Sequence, residues 1–485
     1  EKIKKGGIQM KRLLTICIML TAIALIAAPA FAEVQNVKVS GDVNSGAVYR
    51  GDYYLLSNNS DDDNTPYNFL YTQARIRVDA DLTDNVMATV RLLSEFDWNT
   101  TDNTGSTDTG DNVDLDLANV TLKEVFYQPL TVTVGRQELR YGNAFIVGDP
   151  DTNAVGADAD FTAGDLSLRK SFDAIKAVFD YSPLVVDVIY SKIHETYPAT
   201  LTASQDVNLY GVNAAYDIGN YDSEIEVYWF SSTNDTVTTP AAGMNAGHSI
   251  QTIGARGSIT PIDNLNLLGE IAIQRGDYNN ETVPARDQDA LAYQVAGEYA
   301  FPDITMPWTE TVISSPMVKV GYTHYSGEET GNTGDHEAWI PLYEDQTHGV
   351  IANYILGGVN GGQNSNADIL NIGGSISPMQ DLTVSLDWYK FWLDEKLVTA
   401  DGMLASANSA LAWTNLTKAT YYMNSDDDLG FELDLVLSYD YTEDVKMGLS
   451  AGYFQPGDAF QAAASSSLEN GETAVQVLAT LDVAF

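Results

Sequence analysis

Apolar and polar residues alternate along this chain in segments of about ten residues, the period of a strand with one face in each of two environments. In 430–441, Phe431, Leu433, Leu435, Leu437, Tyr439 and Tyr441 share one face, against Glu432, Asp434, Ser438 and Asp440 on the other. In 289–301, Leu291, Tyr293, Val295, Tyr299 and Phe301 oppose Ala290, Gln294 and Glu298. The same pattern predicts strands at 36–54, 68–82, 86–98, 113–127, 130–138, 172–181, 184–194, 206–218, 223–232, 248–260, 265–276, 289–301, 315–326, 368–378, 382–392, 430–441, 445–454 and 474–485, eighteen in all. Several apolar faces end in aromatic residues, as at Tyr210, Tyr216, Trp229, Trp388 and Tyr453.

The connections sort by parity. Even-numbered ones are tight and carry turn formers, such as Thr83-Asp84-Asn85, Gln128-Pro129, Ser182-Pro183 and Thr442-Glu443-Asp444, with 302–314 the longer exception. Odd-numbered ones, such as 55–67, 99–112, 139–171, 327–367 and 393–429, are long and acidic. A soluble sandwich has no reason to sort its loops this way. A transmembrane antiparallel β-barrel does, with short periplasmic turns, long outer loops and aromatic girdles at both lipid interfaces. Closure also removes the edges that long two-faced sheets expose. The expected fold is therefore an all-β outer-membrane barrel with both termini on the periplasmic side.

The first residues read as processing signals. Met10, Lys11 and Arg12 precede an apolar run from Leu13 to Ala28, and Ala30-Phe31-Ala32 closes it with small residues where a signal peptidase reads. Residues 1–9 are expected to be an over-extended gene model, 10–32 a signal peptide and 33–485 a single barrel domain. At the other end, Phe485 closes an amphipathic strand bearing Val475, Val477, Leu481 and Val483. This resembles the signal read by the outer-membrane barrel assembly machinery.

Composition narrows the function. With 67 Asp and Glu against 25 Lys and Arg, the net charge is −42, and nucleic acid is excluded as a partner for want of cations to neutralise phosphates. The one cysteine, Cys17, lies within the leader, so no disulfide framework, cysteine-based metal centre or attached c-type haem is expected, nor any other cofactor. Five histidines occur without a nucleophile motif such as G-x-S-x-G, so no enzyme is expected. His336 and His348 share a loop with Asp335, Glu337, Glu344 and Asp345; solvated carboxylates are the simpler reading of that loop, and no metal site is expected. The acidic runs Asp61 to Asp63, Asp108 to Asp116, Asp149 to Asp165 and Asp426 to Asp428 match no EF-hand spacing and read as solvated loops that could meet lipopolysaccharide through divalent ions.

An order of short motifs resembles the alginate-export family of outer-membrane barrels. The sharpest is Gly135-Arg136-Gln137-Glu138-Leu139-Arg140-Tyr141-Gly142, followed by Phe172-Asp173. Others are Gly276-Asp277-Tyr278, Tyr325-Ser326-Gly327, Pro341-Leu342-Tyr343, Gly430-Phe431-Glu432 and Gly452-Tyr453-Phe454-Gln455-Pro456-Gly457-Asp458. The resemblance implies an eighteen-stranded monomeric barrel, and its name comes from members that export an anionic polysaccharide through an arginine-rich lumen. Asn143 and Phe145 stand where the family carries an acidic and a basic residue.

In such a barrel the chemistry lies on the inward face. Alternation assigns to it Arg75, Arg77, Asp79, Asp81, Arg91, Glu95 and Lys123, with Arg136 and Glu138 where a bulge could shift the register. It adds Lys176, Asp180, Asp187, Asp217, Glu224, Glu226, Arg256, Glu270, Glu298, Lys319, Asp387, Glu432, Asp434, Asp440, Lys446 and Asp482. Acidic residues predominate. The expected function is a channel for passage or export of hydrophilic solutes, wide and water-filled with a modest cation preference. The alternatives are an exporter specific for an anionic polysaccharide and a structural sheath around a partner protein. The expected neighbours are outer-membrane lipid and lipopolysaccharide of a Gram-negative cell.

Overall fold

The computed structural model describes residues 36–53, 55–57, 67–98, 113–150, 164–195, 206–234, 248–279, 286–305, 312–329, 332, 334–357, 364–396, 426–460 and 469–485. The leader and the acidic run 61–63 lie outside the described residues.

Eighteen antiparallel strands close into a ring. In chain order they are β1 Asn36–Gly51, β2 Tyr67–Thr83, β3 Val86–Asp97, β4 Asp114–Leu122, β5 Leu130–Glu138, β6 Ser171–Tyr181, β7 Leu184–His194, β8 Val207–Asp217 and β9 Glu224–Asn234. The ring continues through β10 His248–Ile262, β11 Leu265–Asn279, β12 Arg286–Ala300, β13 Val312–Tyr325, β14 Ala367–Met379, β15 Leu382–Trp392, β16 Asp428–Asp440, β17 Val445–Pro456 and β18 Ala474–Ala484. Each pairs with its chain neighbours, and β1 closes the ring by pairing with both β2 and β18. The seam ends in a reciprocal pair: Phe485 N–H donates to the Gly41 carbonyl and Gly41 N–H to that of Phe485, each at 2.9 Å. The terminal aromatic thus completes the last rung. The long connection between β12 and β13 contains a small hairpin, in which Ile304–Thr305 pair with Val312 and Ile313.

The two faces differ as two solvents require. Outward, Ile76, Val90, Leu92, Ile175, Val188, Val212, Ile253, Ile271, Val295, Val318, Val320, Ile372 and Leu386 form an exposed apolar belt. Tyr49, Trp98, Tyr190, Tyr210, Trp229 and Tyr453 ring its extracellular edge, and Tyr181, Tyr216, Phe301, Tyr439, Tyr441 and Phe485 its periplasmic edge. This is the paired girdle of a lipid-facing barrel. Inward, the alternate positions Gln73, Thr89, Asn213, Thr252, Gln274, Gln288, Gln294 and Gln476 are buried and polar. No helix among the described residues is long and apolar enough to cross a membrane.

Candidate functional site: the charged lumen and its loops

Most of the charges that alternation assigned inward do lie on that face. Arg75, Arg77 and Asp79 project inward from β2, opposite exposed Ile76, and Arg91 and Glu95 from β3, opposite exposed Leu92. Lys176 and Asp187 meet across β6 and β7 at 2.8 Å, and Arg256 reaches Glu226 at 2.7 Å and Glu224 at 3.2 Å across β9 and β10. Lys319 on β13 pairs with Asp387 on β15 at 2.8 Å, across Gly373 of β14. Glu298 lies opposite Lys319 in register but stays exposed. Glu270, Glu432 and Asp434 are buried inward.

Two assignments are corrected. Lys123 lies beyond β4, which ends at Leu122, and is exposed in the turn toward β5. Arg136 is on the outward row: Gly135 and Gln137 beside it face inward, and its guanidinium grips Asp173 of β6 at 2.8 Å on the outside of the rim. Glu138, at the end of β5, accepts a bond from inward-facing Arg91 and so stays in contact with the lumen-side charges. The motif therefore builds a strand end. Gly135 adopts φ +118 with its Cα side against the backbone of Ala118, which a side chain would strike. Gln137 donates to the Ala174 carbonyl at 3.0 Å, and Leu139 and Tyr141 turn into the interior. Gly276 and Gly430, each opening another of the matched motifs, repeat the same positive φ near the outer ends of β11 and β16.

The wide, open lumen expected from the strand number is not what the described residues show. Two long connections fold into its extracellular half. Phe145 stacks against Tyr325 of β13 and Trp339, at 5.5 and 6.2 Å between ring centres. Tyr343 packs on Phe172 of β6 and meets Ser232 Oγ of β9 at 3.0 Å. The two connections also pair with each other, Tyr343 N–H to the Ile146 carbonyl at 3.1 Å and Gly148 N–H to that of Tyr343 at 2.6 Å. Further on, Ile351 lies against Gly452 of β17, just before the short helix α1, Ala352–Gly357.

Two inward anchors hold that last stretch. Glu432 of β16, fully buried, accepts the N–H groups of Ile351 and Ala352, each at 2.6 Å, and Asp434 accepts that of Val350 at 3.1 Å. Gly349 makes the approach possible, since a Cβ there would fall 2.6 Å from a Glu432 oxygen and its φ is +82. On the opposite side of α1, Arg50 of β1 lies 4.9 Å from the Tyr354 ring centre and 5.3 Å from that of Tyr53, and binds Asp165 at 2.6 Å. Sequence reasoning assigned no residue of β1 inward and so missed Arg50, which shares a row with Asp42, the partner of Arg75. His336 stacks on Tyr278 and bonds Gln288 rather than joining the carboxylates of its loop.

The loop also holds ionisable groups in unusual states. Burial pushes the Glu344 carboxyl well above the usual range and the His348 imidazole down to about 4. Burial works against ionisation of Asp345 too, but Lys170 and Arg140, both bound to it, hold its carboxyl below the usual range.

A closed barrel with an apolar belt, two aromatic girdles and a charged lumen is an outer-membrane channel for solutes. The chain belongs to the alginate-export family, which it matches over residues 57–473. No curated protein matches the sequence. Among solved structures, its fold is similar to OccK2 (OpdF) of Pseudomonas aeruginosa in complex with glucuronate, at 9% identity and TM-score 0.52, covering 93% of this chain and 99% of that one. It is also similar to OccD3 (OpdP) of Pseudomonas aeruginosa, at 11% identity and TM-score 0.52, covering 93% and 92%.

Proposed function

We propose that the channel passes small hydrophilic solutes, prefers cations modestly, and does so through a lumen narrowed by its own loops. One observation carries the selectivity. The inward cations Arg75, Arg77, Arg91, Lys176, Arg256, Lys319 and Lys446 each have a carboxylate partner. Several inward carboxylates are instead bonded by neutral donors. Glu95 accepts from Gln73, Ser167 and the Leu168 N–H, Asp180 from the Ser182 N–H, and Asp217 from the Gly219 N–H. A neutralised basic wall leaves little positive field to draw a polyanion, and surplus carboxylates within low-dielectric walls focus a negative one. In this reading the inward charges line the solute path, the barrel works as a monomer, and the strand ending in Phe485 is its assembly signal.

The double substitution Arg75→Ala with Arg77→Ala tests it, because it frees Asp42 and Asp79. Under a potassium chloride gradient across a planar bilayer, the reversal potential should shift further toward the potassium potential. The shift should fade above about 0.1 M salt, where the Debye length falls to about 10 Å. A wild type that is plainly anion-selective contradicts the reading. A wild type with no conductance contradicts it as well, and favours the sheath.

A second reading, passage of an anionic sugar or polysaccharide, draws on one feature. Arg140 and Lys170 share the single carboxylate Asp345, the one place among the described ion pairs where two cations meet one anion. Block of the ionic current by a uronate, lost on Arg140→Gln, would favour it.

A further inference from the structure

Three polar side chains from separate elements meet on the outward side of the barrel at its extracellular rim. His324 stands at the end of β13, Asp368 at the start of β14 and Asp394 just beyond β15. Their side is fixed by alternation: Thr323 and Tyr325, flanking His324, are buried toward the lumen, whereas Val318 and Val320 lower on its row are exposed in the apolar belt. His324 Nδ1 lies 2.8 Å from Asp368 Oδ1 and 3.9 Å from Asp394 Oδ1, and the three ligand atoms lie within 4.8 Å of one another.

Each of the three is oriented by a group outside the trio. The His324 ring stacks on Tyr293 at 4.8 Å. Tyr322 Oη donates to Asp368 at 2.6 Å, and the Gly327 N–H donates to Asp394 Oδ2 at 2.8 Å. Among the described ion pairs, neither aspartate has a lysine or arginine partner. Asp394 instead sits in the field of Glu395, which is also close to Glu329 and Glu337. An imidazole nitrogen and two carboxylates, each steadied from behind by a neutral donor or ring, is the arrangement that metal-binding side chains adopt.

We propose that His324, Asp368 and Asp394 form a site for a divalent transition-metal ion, with one nitrogen and two oxygen ligands and a fourth position open outward. Bonds of about 2.0–2.2 Å from zinc to nitrogen and oxygen, in tetrahedral array, set ligand atoms roughly 3.4 Å apart. That value falls between the two separations seen, so small side-chain movements suffice. Calcium is poorly served, because it takes about 6–8 oxygens and no imidazole. A bound ion would tie β13, β14 and the segment after β15 together across the rim, and would stabilise the barrel by mass action.

Zinc titration of the purified full-length barrel in detergent, after washing with chelator, tests the site by calorimetry and by thermal melting. One zinc should bind per chain and raise the melting temperature, and calcium should not displace it. His324→Ala should abolish both effects. Tyr322→Phe, which keeps all three ligands and the ring, should weaken zinc binding about tenfold through loss of the bond to Asp368. Absence of zinc binding overturns the proposal. So does binding that is unchanged in both variants, or that calcium displaces equally well, since the acidic loops alone would then account for it.

Discussion

Glu432→Ala should raise the single-channel conductance several-fold. Glu432 is fully buried on the inner face of β16 and is the acceptor for the first two N–H groups entering α1. Removing it leaves both donors without that partner inside the lumen, at about 1–3 kcal/mol each. The strap from Gly349 to Ala352 then keeps the Asp434 bond to Val350 and the Gly349 backbone bond to Tyr389 of β15. The barrel hydrogen bonds lie elsewhere, so the fold should survive while the strap swings free. The substitution also removes an ionisable carboxyl from the lumen wall, which alone would alter conductance. Gly349→Ala separates the causes, because its Cβ would meet Glu432 at 2.6 Å and drive the strap off without changing charge. Both variants should open the channel. Unchanged conductance in Gly349→Ala, with Glu432→Ala altered, would mean that charge and not the strap sets the current.

Acidification should loosen the same loops. His348 is buried, and its pKa is lowered from an ordinary value near 6.5 to about 4. A histidine with a depressed folded pKa contributes in full above the unfolded value and loses its contribution as pH falls from about 6.5 toward 4, because only the loosened state takes up the proton. Glu344 works in the opposite sense. Its raised pKa means that the packed loop takes up a proton more readily, so its effect grows as pH falls toward the ordinary carboxylate range. Asp345 stays ionised across this window, held by Lys170 and Arg140. In a Glu344→Gln background, conductance should therefore rise steadily between pH 6.5 and 4. Adding His348→Gln should flatten the profile. A rise that persists without His348 would assign it to other groups.

The barrel was legible because its cause is local. Alternation, turn formers after even-numbered strands and aromatic ends all sit within a few residues, so even the pairing of Phe485 with the first strand follows from its place in the last one. The inward charges were legible for the same reason, and the misreadings occur where a strand's end governs. Lys123 was counted inward because β4 was extended past Leu122. Arg136 was counted inward on the chance that a bulge shifts the register there; it stays on the outer row at the rim, above the lipid, where Asp173 meets it. The loops in the lumen left no comparable trace. Trp339, Phe145 and Tyr325 stack although they lie far apart along the chain, and no short pattern announces that an outer loop turns inward. The same distance hid His324, Asp368 and Asp394, which come from three separate elements.

Disulfide trapping tests the central claim most directly, that the strap lies against the lumen wall. A Cβ built on Gly452 of β17 would lie 3.0 Å from the Ile351 side chain, within the reach of a disulfide. With Cys17 replaced by serine, Ile351→Cys and Gly452→Cys should form a bond under mild oxidation in the assembled channel. The bond should lock conductance at its lower level, and reduction should restore the wild-type trace. Free thiols after oxidation, in a barrel otherwise folded, would place the strap away from the wall and contradict a lumen narrowed by its own loops.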